Sequence, residues 1–134
     1  MKVKESVVVD CLYDILVRRG YTVKIISVSL GDLKVKKNDN IAYIEVKAPL
    51  ASTSHVYTAI GECLCFLTRI QRRFPQIKRI YLAIGEGGKE YLYDLLWDTI
   101  IDHDLPIIPS TVDIFNKKWT ELSSLERKLH YQPL

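Results

Sequence analysis

A mixed α/β sheet flanked by helices is the fold this chain predicts, with elements in the order α-β-β-β-α-β-α-β-α. Three features of the sequence point there: long segments with apolar residues spaced by three and four, β-branched runs between them, and Gly, Pro or Asn clusters where they join.

The first helix spans residues 3–19. Val8, Val9, Leu12, Ile15 and Leu16 form its apolar stripe, Asp10, Asp14 and Arg18 its polar face, and Gly20 its stop. Residues 21–30 turn β-branched (Thr22, Val23, Ile25, Ile26, Val28) and read as a strand ending at Gly31-Asp32. Residues 33–36 and 41–47 flank the polar cluster Lys37-Asn38-Asp39-Asn40, the pattern of two antiparallel strands joined by a hairpin, and Pro49 closes the second.

Val56, Ile60, Cys63, Leu67, Ile70 and Phe74 then alternate steps of four and three up to Pro75, the strongest helical period in the chain. Residues 77–84 form a short, mostly apolar strand suited to the interior of a sheet covered on both sides. After Gly85, Gly87 and Gly88 the pattern predicts a helix over 89–102, a proline-interrupted strand over 106–115 and a terminal helix over 119–130. The strand, helix, strand portion around the second helix makes a parallel crossover.

Composition sets the class. A length of 134 residues suits a single domain over 1–134, and 48% hydrophobic with 26% charged residues describes an ordinary globular chain. The amino terminus carries only three consecutive valines before an acid, too short for a secretory or membrane segment, so the expected location is the cytoplasm. Three cysteines, with Cys63 and Cys65 on different helix faces, are expected as buried thiols rather than a zinc or iron–sulfur site. A net charge of +3 permits nucleic-acid binding without requiring it.

The chemistry concentrates in the hairpin. Strand side chains alternate, so Glu45 and Lys47 share one face while Ile44 and Val46 take the other. Asp32 opens the partner strand, and hairpin pairing brings it toward Glu45. Two converging carboxylates form a hard-oxygen site for Mg²⁺ or Mn²⁺, and a divalent ion supplies both the nucleophile and the charge neutralisation that phosphodiester hydrolysis needs. A neighbouring lysine orients or deprotonates the water. Glu5, three, four, seven and eleven residues before Val8, Val9, Leu12 and Leu16, sits on the inward stripe of the first helix and needs a partner.

This ordered set resembles the PD-(D/E)xK nuclease superfamily over roughly residues 3–115: an acid in the first helix (Glu5), Gly31-Asp32 opening a strand, Glu45-Val46-Lys47 thirteen residues later, then an amphipathic helix and another strand. The relatives implied are restriction endonucleases, archaeal Holliday-junction resolvases and RecB-like exonucleases. The resemblance implies a restriction-endonuclease-like fold. It also implies Asp32 and Glu45 as metal ligands with the Val46 carbonyl as a third, Lys47 positioning water, and Glu5 supporting a metal through water. Glu62 and Phe66 stand where RecB-like members carry glutamine and tyrosine, and Gly31 stands where the motif's proline is usually written.

The expected activity is therefore Mg²⁺- or Mn²⁺-dependent DNA endonuclease cleavage, with no organic cofactor. Lys34, Lys36 and Lys37 on the hairpin are the first candidates for DNA contact. Ser52, Thr53 and His55 near the site's mouth and Arg69 in the basic end of the second helix, beside Arg72 and Arg73, are further ones. A chain this small covers little duplex, so cutting both strands favours a homodimer through the 89–102 helix or the terminal helix. Two other readings stand beside this one: a catalytically silent nucleic-acid-binding module with the same fold, and a protein-interaction module, which predicts neither metal affinity nor salt-dependent DNA binding.

Overall fold

The structure is a computed structural model and describes residues 3–27 and 32–121, without the side chains of Ser27 and Glu121. Its elements are α1 (Glu5–Arg18), β1 (Thr22–Ser27), β2 (Asp32–Lys37), β3 (Asn40–Lys47), α2 (Thr53–Gln71), β4 (Ile80–Gly85), α3 (Glu90–Asp102), β5 (Ile107–Asp113) and β6 (Lys118–Glu121). The strands form one sheet in chain order, antiparallel from β1 to β3, parallel from β3 to β5, and antiparallel again at β6. The mixed α/β architecture matches the expected order up to β5 and is consistent with an α/β nuclease-like fold.

Why the helices lie where they do follows from connectivity. The crossovers β3-α2-β4 and β4-α3-β5 step across the sheet in the same direction, and crossovers of one hand then put both helices on one face. There Val56, Ala59, Cys63, Phe66, Leu67 and Ile70 of α2, with Leu92, Leu96 and Ile100 of α3, cover Tyr43, Ile80, Leu82 and Ile84. The other face is left to α1, whose Val8, Val9, Leu12, Ile15 and Leu16 pack on Leu33, Val35, Ile44, Val46 and Ala83. All six residues of β4 are buried, as an interior strand covered on both faces requires.

The hairpin between β2 and β3 closes through Asn38-Asp39, with Lys37 paired to Asn40 and Asn38 at φ 56°. Asparagine tolerates this left-handed backbone, which two-residue hairpin turns demand. In β5, Pro109 pairs with Leu82 on the β4 side, while the described β6 pairing stops at Ser110, so the missing N–H interrupts no ladder bond to β6.

One expectation is corrected at the carboxyl end. Residues 119–121, expected as the start of a terminal helix, belong to β6 (Lys118–Glu121); the remainder of that helix lies outside the described residues. The carboxylate of Asp113 accepts bonds from the Phe115 and Asn116 amides at 3.0 and 3.1 Å and from Asn116 Nδ2 at 2.8 Å, and Lys117 takes φ 52°. This side-chain-capped turn reverses the chain, and Trp119 then lies against Tyr81 with its Nε1 donating to Ser110 Oγ at 2.7 Å. Burial of that indole outweighs local helical period. The cysteines also divide: Cys63 is buried, Cys11 is half-buried and Cys65 is exposed. Among the described residues, no helix is long and apolar enough to cross a membrane.

Candidate active site

β2 and β3 are in the register that makes Asp32 and Glu45 direct cross-strand partners. Both residues are only 2% exposed. Charged side chains that deep need compensation. A hydrogen bond joins the two, yet Asp32 Oδ1 and Glu45 Oε2 have no partner. Burial, and after it the hydrogen bond and negative charge of Asp32, push the Glu45 carboxyl up to about 9. The Asp32–Glu45 pair therefore holds a proton to higher pH than a free carboxyl does.

Lys47, two residues on and half-buried, reaches Glu62 of α2 in a hydrogen-bonded ion pair and lies 3.7 Å from Glu5 of α1. Burial alone would lower its pKa; the Glu62 hydrogen bond and the charges of Glu45, Glu5 and Glu62 outweigh burial and raise it. The lysine is held as an ammonium. Glu5 is raised by burial against the opposing pull of Lys47, with Glu62 and Asp32 adding to the rise. Four elements thus bring four carboxyls and one cation together, and Glu5 finds its partner in Lys47.

The residues fit a hard divalent cation in a specific way. No group of three or more His, Cys, Asp or Glu is placed to hold an ion among the described residues. Mg²⁺ does not need such a cage, because it keeps several waters and is held through one or two carboxylates plus substrate phosphate. Asp32 Oδ1 and Glu45 Oε2 are buried oxygens lacking a partner, which is what two such ligands look like without their cation. Val46 buries its side chain under α1, so only its backbone carbonyl, between Glu45 and Lys47, is available as a donor.

The other candidates are distributed unevenly. Lys34, on the Asp32 face of β2, lies 5.9 Å from the ring of Tyr43 and 5.7 Å from that of Phe74. Arg69 extends over Phe66 at 5.7 Å. Both sit beside the acids. Lys36 and Lys37 do not, correcting the expectation that they adjoin the acids: strand rise carries them roughly 13 to 17 Å along β2 from Asp32. Lys37 is also engaged there, donating to the Arg19 carbonyl at 3.0 Å and covering Tyr21 at 5.1 Å.

Ser52, Thr53 and His55 occupy the start of α2, just beyond the Lys47 end of β3. His55 Nδ1 accepts the Ala51 amide at 3.2 Å and Ser52 Oγ lies 2.8 Å from Ser54 Oγ. The loop preceding them is pinned by Tyr93, whose hydroxyl donates to the Gly85 carbonyl at 2.6 Å and accepts the Gly88 and Leu50 amides at 3.1 and 3.3 Å. Gly88 is obligatory in that knot, since a Cβ there would stand 2.3 Å from the Leu50 carbonyl oxygen.

Sequence reasoning left two features unassigned. Glu62, one residue before buried Cys63 and three after buried Ala59, is close enough to the inward stripe of α2 to be read as aimed at the sheet. The second is an open cleft of about 310 Å³ leading from Asp32 along α2, lined also by Ile26, Tyr43, Phe66, Arg69, Arg73 and Phe74. No local pattern announces it, because its walls come from four separate segments.

No family model and no curated protein matches the chain. Among solved structures, the crystal structure of an XisH family protein from Nostoc punctiforme is similar, with a TM-score of 0.63 and 18% identity, covering 85% of this chain and 98% of that one. At that identity the likeness speaks for the fold.

Proposed function

We propose that the chain is a metal-dependent deoxyribonuclease that hydrolyses DNA phosphodiester bonds with Mg²⁺ or Mn²⁺ held at Asp32 and Glu45. The observation that carries this reading is the buried cross-strand acid pair with two partnerless oxygens, set beside a lysine. The ion, when bound, supplies a water nucleophile at neutral pH and neutralises charge on the phosphate. Asp32 and Glu45 would hold the ion through their side chains, and the Val46 carbonyl would be the third protein donor.

Lys47 is held protonated by its ion pairs with Glu62 and Glu5, so it works as a hydrogen-bond donor and not as a base. It positions the attacking water and offers positive charge where the phosphorane oxygens become negative. Glu62 and Glu5 fix the lysine's direction from two different helices. Lys34 and Arg69 meet the DNA backbone next to the scissile bond, with Ser52, Thr53 and His55 offering further phosphate contacts at the start of α2. Lys36 and Lys37 reach only a more distant part of a bound strand. Cutting both strands of a duplex calls for a second copy of the chain, so the working species on duplex is a homodimer.

The same ion pairs that orient Lys47 also support a silent binding module, since they satisfy the lysine without substrate. Labelled single-stranded, duplex, flapped and four-way-junction DNA, incubated with Mg²⁺ or Mn²⁺, separates the two readings. The parent is expected to cut with either metal, and Glu45→Ala and Lys47→Ala to lose roughly 10²- to 10⁴-fold in rate while remaining folded. Salt-dependent binding without cutting establishes the silent module instead.

A further inference from the structure

We infer that the cleft running from Asp32 along α2 is a subsite for an unpaired nucleotide, making DNA with a single-stranded segment the substrate class. This rests on the nuclease reading of the adjoining acid pair. The cleft's volume of about 310 Å³ falls at the lower end of the range for small-molecule sites (roughly 300–1,000 Å³), which suits one nucleotide.

Its lining matches a nucleobase with its backbone. Tyr43 and Phe66 form a buried floor, edge to face at 5.9 Å, and Phe74 stands 37% exposed at the rim. The exposed ring of Phe74 is the face on which a base of any sequence can stack. Three cations surround the three rings: Arg69 over Phe66 at 5.7 Å, Arg73 over Phe74 at 5.9 Å, and Lys34 between Tyr43 and Phe74. None of the three is paired with an acid among the described residues. Their positive charge is free to meet phosphates on either side of a held base.

The opposite end is acidic and belongs to the reaction centre. Asp32, whose Oδ1 lacks a partner, lines the cleft with Phe74, so a base stacked on Phe74 presents its neighbouring phosphate toward the Asp32–Glu45 pair. A β-bulge contributes as well. The β1–β2 register slips between Ile25↔Leu33 and Ser27↔Asp32, leaving Ile26 as the extra residue on the cleft wall. Bulges favour the neighbourhood of active sites because they re-aim a side chain.

The test is equilibrium binding of the full chain to a fluorescein-labelled oligothymidylate and to a blunt duplex, in EDTA so that the metal plays no part. A companion oligonucleotide carrying 2-aminopurine reports stacking. The parent is expected to prefer the single strand and to quench 2-aminopurine. Phe74→Ala should weaken single-strand binding by roughly fivefold to a hundredfold, the range for losing one stacking aromatic, and Phe74→Tyr should restore it. Arg69→Gln and Arg73→Gln should each reduce the salt slope for the single strand by about 0.7. Parent-like affinity in Phe74→Ala and both arginine variants, or equal affinity for blunt duplex without quenching, overturns the subsite. Cleavage measured on the same preparations keeps the two readings apart: stacking without cutting removes the nuclease and leaves the subsite, and cutting without stacking does the reverse.

Discussion

Glu45 is the residue on which the chemistry turns, and its protonation gives a prediction with a definite sign. Its carboxyl titrates near 4.5 in the unfolded chain and is pushed up to about 9 in the metal-free fold. Between those values the folded state holds a proton that the unfolded state releases, so the contribution to stability is complete below pH 4.5 and is lost as pH rises toward about 9. Glu45→Gln keeps an amide to bond Asp32 and removes the titration. In EDTA the variant should gain on the parent steadily between about pH 5 and about pH 8, by at most about 1.4 kcal/mol per pH unit, as read by urea unfolding. A parent whose stability is flat over that range would show that the pair is solvated and open.

At the scale of elements, the site is held by two connections and not by the strands alone. The Tyr93 hydroxyl ties the loop after β3 to the loop after β4, and so sets where α2 begins relative to Lys47. Tyr93→Phe leaves the ring in place and strips one acceptor and two amides of their partner. Its expected cost is about 1–3 kcal/mol, with faster hydrogen exchange at Leu50 and Gly88 than elsewhere in the sheet. Helix α2 was legible in the sequence by its uninterrupted period, β2 and β3 by the polar cluster they flank, and β4 as a short apolar run. β6 was not, since four residues are too few to show alternation and Trp119 reads equally well as a helical anchor.

For the whole molecule, metal binding and folding are linked. A ligand that binds only the folded state adds stability as its concentration passes its dissociation constant. Mn²⁺ or Mg²⁺ should therefore raise the melting temperature of the parent and leave that of Glu45→Ala unmoved. The rise should grow from neutral pH toward about 9, because the proton on Glu45 must leave before the ion is held. A shift that is equal in both proteins would place the ion elsewhere. Differential scanning fluorimetry over a metal and pH series is sufficient to read it.

By itself the sequence determined the alternation of helices and strands, the stripes that face the sheet, and the shared face of Glu45 and Lys47, because these are local periodicities of 3.6 and 2 residues. The hairpin also made Asp32 a candidate partner of Glu45, since antiparallel pairing across the short Lys37-Asn38-Asp39-Asn40 connection brings the two together. Only the tertiary structure decided the rest. It joined Glu5 and Glu62 to Lys47 from helices on opposite faces of the sheet, and it set Lys36 and Lys37 far down the hairpin from the acids they adjoin in sequence. It also assembled Ile26, Tyr43, Phe66 and Phe74 into one cleft beside Asp32. Those contacts join residues up to several dozen positions apart, and their geometry depends on how both helix layers pack against the sheet, which no local pattern encodes.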